Sequence, residues 1–259
     1  SIPKCAEDSM KLDELVTYLD VTLDIGAFDD SSVNGLQVES GDEVANLAIA
    51  VDASLEAIEG AADAGAQLLL VHHGLLWGKP SPLRGVLGAR VGRLFRTGVS
   101  LYAAHIPLDA HPTLGNNAEL ARRFELREVE PFGVYRGKSI GLAGSLDRPR
   151  PAVELIRSLE SRVGPATAAV LAGENPVDRV AVVSGGAGDM VEEAARNGIQ
   201  LLVTGEQDHT AAVYARDAGI HLLFLGHHAT EVYGVRALAG HLESEFGLPW
   251  TSVGRGTGI

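Results

Sequence analysis

GAQLLLVHHG, Gly65–Gly74, is the stretch whose reading decides the fold. Gln67–Val71 is a short apolar run with too few residues for a helix of about ten or more, and it ends on two histidines and a glycine. That is the profile of a buried strand whose carboxyl end opens into a loop. Upstream, Leu47–Val51 (LAIAV) reads as another buried strand and Leu55–Ala64 as the helix between them. The second half of the chain repeats this unit. Aligning Ala48–Gly74 with Ala181–Gln207 at a constant offset of 133 needs no gap. Ala48/Ala181, Glu59/Glu192, Ala61/Ala194, Ala62/Ala195, Gly65/Gly198, Gln67/Gln200, Leu68/Leu201 and Leu69/Leu202 are then identical. The reading is an α/β fold built by internal duplication: two similar lobes, 1–130 and 131–259, related by a pseudo-twofold axis. The Pro- and Gly-bearing stretch Glu130–Pro151 is the expected crossing between them.

Further elements follow the same grammar. A helix is expected at Lys11–Leu19, another at Arg90–Thr97, and a strand at Ser100–Ala104. The loop HIPLDAHPTLGNN, His105–Asn117, comes next, with Asn116 or Asn117 as the cap of a helix running to about Phe124.

Bulk composition narrows the chemistry. Hydrophobic residues make up 46% and charged residues 21% of the 259, a globular balance, and no apolar run approaches the roughly 20 residues that span a bilayer. The opening SIPKCAEDSMKLDEL lacks the basic start and apolar core of a secretory signal, which sets the expectation of a cytoplasmic protein. A formal charge of -13 argues against broad nucleic-acid binding, which rests on many Lys and Arg neutralising phosphates. Cys5 is the single cysteine, so a metal would be held by His, Asp and Glu.

Histidines fall where the expected strands stop: His72 and His73 after QLLLV, His105 after SLYAA, His227 and His228 after IHLLFLG. Ligands of open α/β sheets gather beyond the carboxyl ends of strands. Neighbouring residues on a regular strand point to opposite faces, so HHG serves one cleft if the strand ends at Val71 and Gly74 lets the backbone turn. His105 to Asp109 is His-x-x-x-Asp, and His227 to Glu231 is His-x-x-x-Glu. Glu231 opens an expected helix with apolar Val232, Val235, Leu238, Leu242 and Phe246 at three-to-four-residue spacing. His72, His73, Asp109, His227 and Glu231 are thus the candidate ligands of a two-metal site in the cleft between the lobes. Such N/O donors suit Zn, Fe or Mn and do not choose among them. Two dications and two carboxylates leave about +2, or about +1 with a bound hydroxide, enough to draw a small anion to an acidic protein.

These residues resemble a known family, the Nif-three-like proteins, also called the GTP cyclohydrolase 1 type 2 family. The resemblance covers nearly the whole chain and rests on NGLQV (Asn34–Val38), VHHG (Val71–Gly74), His105–Asn117, VTGE (Val203–Glu206) and GHHATE (Gly226–Glu231). It implies two α/β lobes facing a dinuclear metal site, assembled as a toroidal homohexamer, here without the middle domain that many relatives insert. Carried over position by position, its ligands fall on the same five residues. His105 is expected as a hydrogen-bond donor behind the ligands or as an extra ligand. Glu206 and His209 are expected near the site or as caps, and Asn34–Gln37 as a structural turn.

The functional expectation is a dinuclear-metal-dependent hydrolase acting on a small anionic substrate, with GTP implied by the family. Its catalytic group would be a metal-bound water, with Glu231 as a candidate partner. A metal-dependent phosphoesterase would use the same ligands. The other class is a metal-binding regulatory or scaffold protein without turnover. No P-loop GKS/T is present, and GGAGD, Gly185–Asp189, is only a weak phosphate-cradle candidate.

Overall fold

The structure, a computed structural model, describes residues 9–79, 81–173 and 176–258; Cys5 lies outside the described residues. In chain order its elements begin β1 (Met10–Lys11), α1 (Leu12–Leu23), β2 (Gly35–Val38), β3 (Glu43–Val44), β4 (Leu47–Asp52), α2 (Leu55–Asp63), β5 (Leu68–His73), α3 (Gly85–Thr97) and β6 (Ser100–Ala103). They continue with α4 (Ile106–Ala110), α5 (Asn116–Arg123), β7 (Arg127–Tyr135), β8 (Lys138–Arg150), α6 (Ala152–Val163), β9 (Ala168–Val170) and β10 (Val177–Val182). The last are α7 (Val191–Arg196), β11 (Leu201–Thr204), α8 (His209–Ala218), β12 (His221–Phe224), α9 (His227–Phe246) and β13 (Trp250–Ser252). Among the described residues no helix is long and apolar enough to cross a membrane.

Two compact units divide the chain. One holds the residues up to Leu108 together with Val235–Arg255, the other Asp109–Gly234 and the residues from Gly256. The first unit carries a five-stranded sheet in the order β13-β4-β5-β6-β2, with β4, β5 and β6 parallel. These strands read as unbroken apolar runs because they are buried on both faces, as parallel strands usually are. Ala48, Leu69 and Leu101 pack with Ile58 of α2 and Leu94 of α3. Ser54 caps α2, its hydroxyl accepting from the Ala57 N–H at 3.0 Å.

The second unit carries a six-stranded sheet, β7-β8-β10-β11-β12-β9, in which β10, β11 and β12 are parallel. Its core joins Val180, Leu201 and Leu223 to Leu120 of α5, Leu155 of α6 and Tyr233 of α9.

Within each unit the repeat is visible at atomic detail. Leu47, Ala48 and Ile49 pair with Leu68, Leu69 and Leu70; Val180, Ala181 and Val182 pair with Leu201, Leu202 and Val203, the same register at the same offset. The Gln67 side-chain oxygen accepts from the N–H groups of Ala45 and Asn46 at 3.0 and 2.9 Å. Gln200 repeats that clamp on Asp178 and Arg179, both at 2.8 Å. The identical glutamines therefore have one structural job in each half, tying the start of one strand to its neighbour.

Glu130–Pro151 is not a crossing segment. β7 and β8 form an antiparallel hairpin in the second sheet, closed by Arg136 (φ 46) and Gly137 (φ 85) between Tyr135 and Lys138. Positive φ at both central residues is the turn that matches strand twist. Pro131 and Gly133 read as loop punctuation, yet β7 is an edge strand, the place where a sheet tolerates them.

Candidate metal centre

In the first unit three imidazoles converge beyond the sheet. β5 does not stop at Val71: it stays in register with β4 through Asp52 and His73. The rings of His72 and His73 nevertheless lie 4.7 Å apart, because different neighbours hold them. His72 Nδ1–H donates to the Ala104 carbonyl after β6, and His73 Nδ1–H donates to Asp52 Oδ1 of β4, both at 2.9 Å. Gly74 serves a close approach rather than a turn: its φ is not positive, and a Cβ there would sit 2.6 Å from Ala103 Cβ and overlap the Gln37 amide. His105 completes the group, its ring 5.0 Å from His72 and 5.6 Å from His73. One ligand atom from each of the three lies within 4.8 Å of the others, so these residues are able to hold a metal ion.

NGLQV and the residues before it organise this end of the sheet. Asp30 accepts from His105 Nδ1–H at 3.0 Å and from the Ile106 N–H at 3.0 Å. Asn34 bridges the two, donating to Asp30 at 3.0 Å and accepting from the His105 N–H at 2.8 Å. Burial pushes the Asp30 carboxyl up, but hydrogen bonds from His105 and Asn34 and the charge on His105 outweigh it and hold the group well below the usual carboxylate range. Gln37 Oε1 accepts from the N–H groups of Leu75 and Leu76 at 2.7 and 3.1 Å, pinning the chain just past HHG. Asn34–Gln37 is therefore not the expected turn: from Gly35 on it is strand β2, paired with β6, and the side chains of Asn34 and Gln37 brace the histidine loops.

The second unit holds Asp109, His227 and Glu231. α9 begins at His227, one turn before the start expected at Glu231, so the two lie at i and i+4 on one face with Nε2 and Oε1 3.1 Å apart. His227 Nδ1–H donates to Glu206 Oε2 at 3.1 Å. Glu206 stands 133 positions after His73, in the equivalent place of the repeat. Gly185 (φ 66) makes room for Glu231, since a Cβ on it would overlap Oε1 and reach within 3.4 Å of His227 Nε2. Thr230 secures that approach by accepting from the Gly185 N–H at 3.0 Å.

Asp109 lies within α4, and its Oδ1 accepts from Asn116 Nδ2 at 2.9 Å and Ser184 Oγ at 2.8 Å. Gly115, not an asparagine, is the N-cap of α5. The asparagine side chains turn inward instead: Asn116 Oδ1 accepts from the Gly234 N–H at 2.6 Å, and Asn117 Oδ1 from the Ser184 N–H at 2.8 Å. GGAGD does not cradle a phosphate with these groups. The Gly185 N–H is taken by Thr230, the Ala187 N–H by Thr204 Oγ1 at 3.2 Å, and the carboxylate of Glu231 borders Gly185.

Other expectations resolve locally. His209 opens α8 behind its cap Asp208, and the His228 ring lies against Gly256. His221 Nδ1 accepts from the Ala172 N–H at 3.1 Å, and His111 Nδ1 from the Leu114 N–H at 3.0 Å. The sequence does not mark Asp30, Asp52, Ser184 and Thr230, because one common polar residue in a loop, at a strand end or in the first turn of a helix carries no periodic signal.

All four histidines of these groups share a trait. Each Nδ1 faces a carbonyl or carboxylate oxygen, which accepts only, so the proton of the neutral ring sits on Nδ1 and Nε2 carries the lone pair. Metal-ligating histidines characteristically have this outer partner. In the chain without metal, the hydrogen bond to Glu231 pushes His227 up to about 9, against burial and with help from the charges of Glu231 and Glu206. Below that pH an ion on Nε2 must displace a proton. Metal affinity should therefore climb by up to about tenfold per pH unit from 6.5 to 8.5, with about one proton released per ion bound at His227. Calorimetry in buffers of different ionisation enthalpy reads both quantities, and an affinity flat over that range would remove His227 from the ligand set.

A mixed α/β protein with His and Glu side chains grouped so that they could hold a metal ion is the class these features define. Residues 10–253 match the family description Duf34/NIF3 (NGG1p interacting factor 3). The chain is 42% identical over 247 residues to a Deinococcus radiodurans protein and 44% identical over 252 residues to one from Pyrococcus horikoshii, both named GTP cyclohydrolase 1 type 2 homolog. The first match covers 95% of this chain and 94% of the relative, the second 96% and 100%. A crystal structure of a Thermus thermophilus protein superposes with a TM-score of 0.88 at 39% identity, covering 96% of this chain and 100% of that one. This chain belongs to the DUF34/NIF3 family.

Proposed function

We propose that the protein is a metal-dependent hydrolase of a small anionic substrate, GTP being the first to test, with His72, His73, Asp109, His227 and Glu231 holding two divalent ions of Zn, Fe or Mn. The observation that carries this reading is the Nδ1 anchoring of the histidines, which fixes tautomer and ring direction for ligation. His105 shares that anchoring, through Asp30, and supports its neighbours from the same cluster. The names of the relatives, GTP cyclohydrolase 1 type 2 homolog, supply the substrate to test. We assign the two repeats, 1–130 and 131–259, to similar lobes related by a pseudo-twofold axis.

Bound divalent ions supply Lewis acidity and lower the pKa of water toward about 7. The protein's own part is to set charge and orientation. Asn116 and Ser184 keep the Asp109 carboxylate in one plane. Two carboxylates against two dications leave about +2, which attracts an anion to one place on a chain of formal charge -13. Glu206 is exposed and hydrogen-bonded to His227, so it offers that imidazole a proton path to solvent.

The test is purified protein loaded with Zn, Mn or Fe and assayed on GTP and a panel of phosphoesters. His72→Ala combined with His227→Ala should lose bound metal by elemental analysis and turnover with it. Full metal content in that double variant would sink the site, and metal-replete protein inert on the whole panel would sink the hydrolase reading. The toroidal homohexamer belongs to the same reading, and light scattering at the mass of a monomer would count against it.

A further inference from the structure

A cavity of about 240 Å³ lies beside the histidine cluster, within the first unit, lined by Val33, Leu75, Leu76, Trp77, Lys79 and neighbouring small residues. Its walls are apolar, Lys79 is the charged residue on the rim, and Trp77 is 39% exposed. The indole is fixed rather than loose. Its Nε1–H donates to the Gly74 carbonyl at 2.9 Å, directly after HHG, and its backbone bridges to Ser32. Val33 N–H to Leu76 O at 3.0 Å and Gly78 N–H to Ser31 O at 2.6 Å hold the segment from both sides. The ring packs edge-on to His105 at 5.0 Å and lies 6.0 Å from His73. A rigid aromatic wall therefore stands next to the candidate metal ligands.

We infer that this cavity takes the planar heteroaromatic base of a nucleotide-like substrate, stacked on Trp77, with Lys79 facing its anionic part. A volume of about 240 Å³ suits a base, with the rest of a nucleotide outside on the rim, since pockets enclosing a whole drug-sized ligand run about 300–1,000 Å³. Apolar walls and an exposed indole face suit a flat π system, which stacks without needing a particular hydrogen-bond pattern. The inference rests on the hydrolase reading for its neighbouring chemistry and names the part of the substrate that the chain grips.

Trp77 reports on its own occupancy, because the only other tryptophan is Trp250 and a Trp250→Phe background leaves one fluorophore. GTP and guanosine should both quench it, and inorganic triphosphate should not. Trp77→Leu should weaken both purines by roughly 5- to 100-fold in calorimetry, Trp77→Phe should keep most of the affinity, and Lys79→Ala should weaken GTP but not guanosine. Metal content is measured alongside. If Trp77→Leu also loses metal, Trp77→Phe decides: affinity retained with the ring supports the inference, and affinity lost with the ring present overturns it. Guanosine that leaves Trp77 unquenched, or unchanged affinity in Trp77→Leu, overturns it too. Purine binding by metal-replete protein that turns over nothing on the panel would leave this pocket standing and remove the hydrolase reading; hydrolysis of GTP with Trp77 unquenched would do the reverse.

Discussion

Glu231→Ala is expected to cost at least one bound ion per chain and to lower turnover more than about 100-fold. The carboxylate is 2% exposed and 3.1 Å from His227 Nε2, and removing even an outer partner of a ligand costs about 10- to 100-fold in affinity or activity. Metal-free stability should fall as well at neutral pH, because the substitution removes the partner that holds His227 protonated, so the metal-free variant should melt below the wild type while the rise in Tm on adding metal disappears. Glu231→Gln, which keeps the volume, should share the loss of metal. Wild-type metal content and turnover in both variants would take Glu231 out of the site.

Gly185→Ala should be the most damaging substitution of a residue that is not itself a ligand. The backbone at φ 66 is left-handed, which costs an L-residue about 1–2 kcal/mol. The new methyl would also overlap Glu231 Oε1, and overpacking of this kind costs about 1–3 kcal/mol more. Gly198→Ala is the control: its φ is 67 and nothing lies within 4 Å of the added Cβ, so it carries the conformational cost alone. Urea denaturation should separate the two variants by the steric part, and metal analysis should show loss in Gly185→Ala only. Equal destabilisation with equal metal content would mean that the glycine does not shape the Glu231 pocket.

Much of this was legible in the chain because the signals are local. Buried parallel strands are contiguous apolar runs, so LAIAV, QLLLV and their counterparts 133 residues later announced themselves, and the repeat appeared as identical residues at one offset. Histidines at the ends of such runs stand out by residue type. The β7–β8 hairpin did not, because its Pro and Gly resemble a linker, and the partner that makes it a sheet strand is β10, well beyond it in sequence. Boundaries shifted for similar reasons. His73 reads as loop by composition yet pairs with Asp52, and His227 begins α9 because Thr230 and Gly226 close its first turn.

His72 and His73 illustrate where sequence stops. Alternation on a regular strand sends neighbouring side chains apart, and the chain order alone offered only a strand end at Val71 to reconcile them. Tertiary structure did it otherwise, with an Ala104 carbonyl on one side and Asp52 on the other turning two imidazoles toward each other. By itself the sequence determined the α/β class, the repeat, the family and the residue types available to a metal, since these follow from hydrophobic pattern and chemical identity. Only the tertiary structure decided which carboxylates, amides and hydroxyls orient those residues, Asp30, Asp52, Ser184, Asn116 and Glu206 among them. Hydrogen bonds between residues distant in the chain are made by the packing of elements, and no spacing rule encodes that.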